Sequence, residues 1–359
     1  MVPPPSDPGD GATPGQRRRT RPTITDVART AGVAPSTVSH VLNGSCEVSE
    51  VRRERVMRAV RELGYVPNIL AQTLRRRRST IVGLCVPTAS FTYFTELAEA
   101  FEALATPHGY EVMHVFSQQD GATELQRVET LLRFDVGGLL LLPSWRSGAT
   151  LERLAGARVP TVLLDRPVED PRFDQVVVDV RAAMREAVAE LAALGHRRLL
   201  FVTANRRLLV SKWRIEGLRQ GIRDGGVPMT LDILERPAED ADLRSRLSGA
   251  MAGEDRPTAV LASNTLGIAQ VTRALRDLGL RCPEDVSLIA LDEPGWAEQA
   301  TPILAVVRRP ARALAEAAWR MLLTRMEGGT AAPMQTVLRP ELRLGGTVGA
   351  APRRLRRVG

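Results

Sequence analysis

Residues 23–44 read TITDVARTAGVAPSTVSHVLNG, and this stretch decides how the rest of the chain is understood. Thr23 and Asp26 have the spacing of a capping box that opens a helix. Ile24, Val27, Ala28 and Ala31 then fall on one helical face. Gly32 suits a helix end, where a positive φ is needed. Pro35 suits the first position of a second helix. That helix would turn Val38, Val41 and Leu42 inward and leave Ser36, Thr37, Ser39 and His40 polar. A third helix is expected after Ser49, with Val56, Val60 and Leu63 inward and Gly64 as its stop. Helix, tight turn, helix and a supporting helix make the helix-turn-helix plan, in which the start of the second helix reaches base edges and small hydroxyl residues hold phosphates. A small helical protein-interaction domain is the alternative reading of the same pattern.

The surrounding chain has 359 residues, enough for two or three domains, with 44% hydrophobic and 25% charged residues, as in ordinary globular proteins. No apolar run approaches the ~18 residues of a membrane span, and the N-terminus, Pro/Gly-rich and then basic, does not read as a secretory signal. A cytoplasmic protein is expected. Cys46, Cys85 and Cys282 are scattered, which fits a reducing compartment and neither a disulfide nor a zinc framework. The net charge is +8, and its placement is informative: residues 1–79 hold 14 arginines against seven acids, and residues 353–359 hold four arginines. The middle, with 31 cations against 34 anions, is slightly acidic. Basic ends on a near-neutral body suggest a nucleic-acid module on a larger domain. Solubilising tails are the alternative, because the chain is rich in arginine throughout and Lys212 is its single lysine.

From Thr80 onward the pattern changes. Apolar strand-like runs are expected at 81–86, 110–115, 136–142, 161–164, 175–178, 198–202, 259–262 and 287–291, with amphipathic helices at 95–106, 125–134, 182–194, 212–224 and 267–278. Alternating strands and helices argue for parallel sheets, and the region is long enough for two lobes. In such sheets a ligand sits beyond the carboxyl ends of the strands.

The segment 23–87, through VSEVRRERVMRAVRELGYVPNILAQTLRRRRSTIVGLCVP, resembles the LacI/GalR family of bacterial transcription regulators, with A-G-V, T-V-S-x-V-L-N, G-Y-x-P-N and A-x-x-L at family spacing. The resemblance implies that Pro35, Ser36 and His40 face bases and that Thr23, Thr37, Ser39 and Asn43 hold phosphates of a double-stranded DNA operator. It also implies a hinge helix at Pro67–Leu74, too short to be stable alone, in which Asn68, Ala71 and Leu74 enter the minor groove and Leu74 wedges a base step. A plain linker is the alternative. Three departures stand out. His40 replaces the usual Arg, Ala34 replaces the usual Ser cap, and Glu47 puts a negative charge in a loop expected near the DNA backbone.

A weaker resemblance runs on to about Thr347 and implies the overall fold class: a small all-α helix-turn-helix domain plus a two-lobed α/β periplasmic-binding-protein-like domain, parallel sheets with helices on both faces. The expected parts are a disordered basic leader at 1–22, the helix-turn-helix domain at 23–66, hinge helix and linker at 67–79, an effector-binding and dimerisation domain at 80–347, and a loose basic tail at 348–359. Lobe one would take about 80–178 and 308–337, lobe two about 179–307 and 338–347. The helix at 312–326 would return to lobe one, whose faces form the homodimer in relatives. No leucine heptad for a tetramer follows it.

By the same resemblance, Tyr93, Phe94, Arg214, Asn264, Asp292 and Trp296 would line an effector cleft. Tyr93 and Phe94 suit ring stacking or, as readily, a core. Arg214, in the family's R-x-x-G, suits a diol, carboxylate or phosphate. Asp292, in PEDVSLIALD, suits ligand hydroxyls or a hinge role. The small-molecule effector that the resemblance implies is a sugar or a derivative, but Phe91, Thr92, Thr265, the Asp179-Val180-Arg181 run and Gly345 depart from common family residues and argue against a standard monosaccharide. No P-loop and no G-x-G-x-x-G occur, and His40, His108, His114 and His196 lack metal-ligand spacing. No catalytic residue, metal or cofactor is expected. The reading is a dimeric repressor controlled by an effector. The alternatives are a regulator of this type with lost or altered effector response, and a cytoplasmic small-molecule binding protein.

Overall fold

Apolar periodicity of two kinds, 3.6 residues before position 65 and strand-like runs after position 80, yields two kinds of structure. The computed structural model describes residues 22–43, 48–65, 79–206, 209–236, 240–253 and 255–352. The chain divides after Arg78 into two units.

The first unit holds α1 (Ile24–Ala31), α2 (Pro35–Asn43) and α3 (Glu50–Leu63). Its core is Val27, Ala28, Ala31, Val38, Val41, Val56 and Ala59, flanked by Ile24, Leu42, Val60 and Leu63. The capping box forms: the Thr23 N–H donates to Asp26 Oδ2 at 2.9 Å, and the Asp26 N–H donates to Thr23 Oγ1 at 3.4 Å. Gly32 and Gly64 close α1 and α3 in the left-handed region, at φ of 62° and 59°.

The second unit is built on two six-stranded sheets. The strands are β1 (Ile81–Val86), β2 (Glu111–Phe116), β3 (Gly138–Leu141), β4 (Thr161–Asp165), β5 (Asp174–Val178), β6 (Arg198–Thr203), β7 (Thr230–Glu235), β8 (Ala259–Ala262), β9 (Ser287–Ala290), β10 (Ala305–Arg308), β11 (Gln335–Leu338) and β12 (Glu341–Arg343). The helices are α4 (Thr92–Ala105), α5 (Gly121–Arg133), α6 (Gly148–Ala155), α7 (Arg181–Ala193), α8 (Leu209–Asp224), α9 (Asp240–Ala250), α10 (Thr265–Asp277) and α11 (Ala311–Met326). The strand orders are β11-β5-β4-β3-β1-β2 and β12-β10-β9-β8-β6-β7, parallel throughout except for the β10–β12 pair.

Strand alternation fills both faces of each sheet. Val82, Leu84, Leu140 and Leu164 meet α4 and α11 in one core, while Cys85, Leu139, Leu141 and Leu163 meet α5 and α6 in another. In the second sheet Leu200, Val260 and Leu288 face α9 and α10, and Phe201, Leu261 and Ile289 face α7 and α8. The chain passes to the second sheet after β5, back to the first after β10, and to the second again between β11 and β12. The strand order reverses between β1 and β3 and between β6 and β8, the points at whose carboxyl ends open α/β sheets bind ligands.

The structure adds elements the sequence reading did not assign, namely β7, β10, β11, β12, α6 and α9. It also corrects the start of the tail. A loose end was expected from residue 348, yet Val348 packs against the second-sheet core, Gly349 accepts from His196, and the Ala351 N–H donates to Leu194 O at 2.8 Å. The expected leader at 1–21, the Cys46–Glu47 loop, the hinge residues Asn68, Ala71 and Leu74, and the basic residues 353–357 lie outside the described residues. Among the described residues no helix is long and apolar enough to cross a membrane, and no cluster of His, Cys, Asp and Glu is placed to hold a metal.

Candidate functional sites

In the first unit, the face of α2 opposite Val38 and Val41 is open. Pro35, Ser36 and His40 are exposed, and Thr37 and Ser39 are half-buried. Asn43 closes the helix, and its side chain lies outside the described residues. Ala34 contributes no side-chain cap, but its carbonyl accepts from the Thr37 and Val38 N–H groups at 2.9 and 3.3 Å. The Thr23 hydroxyl is already engaged, donating to Asp26 Oδ2 at 2.7 Å. Those hydrogen bonds hold the exposed Asp26 carboxyl below its ordinary value. A phosphate that takes the Thr23 hydroxyl must therefore compete with this carboxylate.

In the second unit, the ends of β4, β9 and β10 bring together a buried ionic chain. Tyr93, in the first turn of α4, donates its hydroxyl to Asp165 Oδ1 at 3.0 Å. The Arg309 Nη1 donates to Asp165 Oδ2 at 3.1 Å, and its Nη2 lies 2.8 Å from Asp292 Oδ1. The second contact is an ion pair, because that oxygen meets no donor in hydrogen-bond alignment. Asp292 Oδ2 accepts from the Asn264 backbone N–H at 3.1 Å and faces Arg214 Nη2 at 3.4 Å. Arg214 Nη2 also donates to Leu291 O at 2.9 Å. The Arg309 guanidinium lies 3.5 Å from the Tyr93 ring centre and 5.8 Å from that of Phe94, a cation–π contact with the nearer ring. Burial opposes the Arg309 charge, but Asp292 and Asp165 outweigh it and hold the guanidinium above its ordinary pKa. Burial lowers that of Arg214, which has a single carboxylate beside it. Burial, then Asp165, push the Tyr93 phenol well up, so it stays a donor.

The expected cleft residues thus have different fates. Tyr93, Arg214 and Asp292 enter the ionic chain. Phe94 is buried in the lobe-one core, its ring edge-on to Tyr93 at 5.4 Å. Asn264 contributes its backbone N–H to Asp292, while its side chain caps α10 by accepting from the Gly267 N–H at 2.8 Å. Trp296 stands exposed in the loop after β9. Sequence reasoning missed Asp165 and Arg309. It also missed Arg166 and Trp145, whose side chains stack at 3.8 Å beside the carboxyl ends of β4 and β3. The departures have physical causes. A Cβ at Gly345 would lie 2.6 Å from Ile303 O, so no arginine fits there, and Asp179 is held by Arg181 through two 2.9 Å hydrogen bonds. The glycine of R-x-x-G serves packing, since a Cβ at Gly217 would lie 2.7 Å from Arg181 O and from Met184 Cβ on α7.

Residues 23–68 match the model of bacterial regulatory proteins, lacI family, and residues 188–348 that of the periplasmic binding protein-like domain. The HTH-type transcriptional regulator reg1 of Streptomyces lividans is 32% identical over 340 residues, covering 92% of this chain and 97% of that protein. The chain belongs to the lacI family. As a lacI-family protein it is a DNA-binding transcriptional regulator, and its two units carry the family's two parts. Among solved structures, the lac repressor dimer bound to operator and the anti-inducer ONPF is similar at a TM-score of 0.78, with 25% identity and coverage of 92% of this chain and all of the other. The transcriptional regulator CelR–cellobiose complex is similar at 0.64, with 28% identity, covering 91% of this chain and all of the other.

Proposed function

We propose that this lacI-family protein is a cytoplasmic, dimeric repressor that binds a palindromic operator and responds to a small molecule held between its lobes. The observation that carries the reading is the α2 face, where Pro35, Ser36 and His40 stand exposed on a helix anchored by buried Val38 and Val41. That is the arrangement that presents side chains to a major groove. Thr23, Thr37, Ser39 and Asn43 would hold phosphates, and Asn68, Ala71 and Leu74 would enter the minor groove from the hinge segment. The domain of residues 80–347 would carry dimerisation and the effector. Likeness to an operator-bound dimer and to a cellobiose complex supports both halves of the proposal. The cleft is read as a binding site and not a catalytic one, since its carboxylates are each neutralised by arginine.

The test is selection of genomic DNA fragments by the purified full chain without added ligand. Enrichment of a palindrome with a central C-G step is the expected result. Failure of a folded preparation to enrich any sequence would overturn the effector-released repressor. The self-paired state of Asp165 and Asp292 favours one variation on this reading, a regulator whose effector differs from a plain monosaccharide.

A further inference from the structure

We propose that the effector of this cleft is an organic anion, a carboxylate or phosphoryl group seated against Arg166 on the Trp145 ring, and not a neutral sugar. The proposal rests on the regulator reading above and names the effector class of the same cleft.

The acceptors come first. A neutral polyol is held largely by donating hydroxyls to carboxylates. Here all four oxygens of Asp165 and Asp292 already face a donor or cation: Tyr93 at 3.0 Å, Arg309 at 3.1 and 2.8 Å, and Asn264 at 3.1 Å. A sugar hydroxyl would meet acceptors whose charge is already shared with a guanidinium or an N–H, which makes them weaker partners than a free carboxylate.

The donors are in surplus. Arg309 and Arg214 share the two carboxylates. Arg166, adjacent to Asp165, meets only neutral acceptors: its Nη1 donates to Pro143 O at 2.6 Å and its Nη2 to Gln119 Oε1 at 2.9 Å. Among the described residues no carboxylate lies within 4.0 Å of it. Glu124 is buried, accepts from the Ser144 backbone N–H, and attracts Arg166 less than Asp165 does. Burial, with a further contribution from Arg309 against the pull of Asp165, lowers the Arg166 pKa to about 10. The cation is under-compensated where it stands, and an incoming anion would correct that.

Position completes the argument. Gln119, Pro143, Trp145 and Arg166 follow β2, β3 and β4 directly, beside the β1–β3 reversal where open α/β sheets bind ligands. The Trp145 face fixes the guanidinium plane, as phosphate and carboxylate recognition requires. Two of the five guanidinium N–H donors serve the loop carbonyl and amide, which leaves donors for an incoming oxygen.

The experiment titrates the full chain with inorganic phosphate, acetate and D-glucose at fixed ionic strength, reading tryptophan fluorescence and heat. A saturable response to phosphate or acetate is expected, with none to glucose at the same concentration, and the stronger of the two anions separates a phosphoryl from a carboxylate effector. R166Q should weaken that binding about 10–100-fold, the loss of one charge-assisted contact. R166K, which keeps the charge but not the planar fork, should fall between. R223Q, which removes an equal charge from the exposed face of α8, should bind as the parent does. No saturation by either anion up to about 100 mM, equal binding by R166Q, or glucose binding in preference would each overturn the proposal. Operator selection on the same preparations keeps the two readings apart: retained DNA binding with no anion response sinks only this inference, whereas loss of all sequence-specific DNA binding sinks the regulator reading itself.

Discussion

Replacing Arg309 with Met would leave a side chain of similar length and no charge between two buried carboxylates. Arg309 is 13% exposed, and Asp165 and Asp292 are each 9% exposed at their side chains. Its guanidinium is the shared cation of both, at 3.1 and 2.8 Å, and it stacks on Tyr93. Removing one partner of a buried pair costs about 3–5 kcal/mol, because the remaining charge keeps its desolvation cost and loses its attraction. The expected loss in R309M is of that size. An exposed pair provides the contrast: breaking Arg172–Glu152, with Glu152 72% exposed, should cost far less. The assay is urea unfolding followed by tryptophan fluorescence. All four tryptophans, at 145, 213, 296 and 319, lie in the second unit, so the signal reports on that unit alone. A loss below about 1 kcal/mol would refute the claim that this ionic chain is buried and coupled.

His196 is fully buried and bridges Thr258 Oγ1, Gly349 O and Ser287 Oγ at 2.8, 3.0 and 3.0 Å, with burial lowering its pKa. Its contribution is complete above the unfolded value of about 6.5 and is lost as pH falls toward the lower folded value, so H196A should flatten the stability slope just below about pH 6.5, a slope of at most about 1.4 kcal/mol per pH unit. G217V should cost the second unit about 1–3 kcal/mol by prising α8 from α7, read as a lowered urea midpoint at unchanged slope. T23A removes the capping box of α1 and should cost about 1 kcal/mol, seen as faster amide exchange in residues 24–31 with no change in the tryptophan transition. H40A should weaken operator binding about 10–100-fold and relax preference at one base pair, while leaving nonspecific affinity at low salt unchanged; a uniform loss across all sequences would place His40 on phosphate instead.

Much of this fold is visible in the sequence because burial on both faces leaves continuous apolar runs. Ile81–Val86, Ala259–Ala262 and Arg198–Thr203 are of that kind, and their limits are nearly those expected from the residues. The edge strands are not. Thr230–Glu235 carries Thr, Asp and Glu on a half-exposed edge, and Gln335–Leu338 is four residues long with alternating exposure. The short helix α6 carries a modest apolar set, Leu151 and Leu154 with Thr150, which is easily read as loop. The cleft divides in the same way. Asp292 is legible as a carboxylate at the end of an apolar strand, and Arg214 from R-x-x-G. The partner that joins them to the other lobe is not, because Arg309 and Asp165 are 144 residues apart and no periodicity says which charges will meet. The doubled arginine at 308–309, at a strand end, was the available signal. Its two members do different things: Arg308 reaches Glu293 at 2.9 Å, and Arg309 turns into the cleft.

The position of Arg309 bears on how such a cleft transmits a signal. It leaves β10 in the second sheet and, two residues later, α11 begins and packs on the first. Its guanidinium pairs one carboxylate from the end of a strand in each sheet. Lobe opening must therefore stretch at least one of these ion pairs, and any ligand that draws on Arg309, Asp165 or their neighbour Arg166 acts on the contact that holds the lobes. A ligand shifts such an equilibrium only by its difference in affinity for the two states. With both carboxylates already paired to cations, a neutral ligand draws on them less strongly, whereas an anion beside Arg166 changes the field at Arg309 directly. The coupling is reciprocal, so operator DNA that favours one arrangement of the lobes must change anion affinity by the same factor.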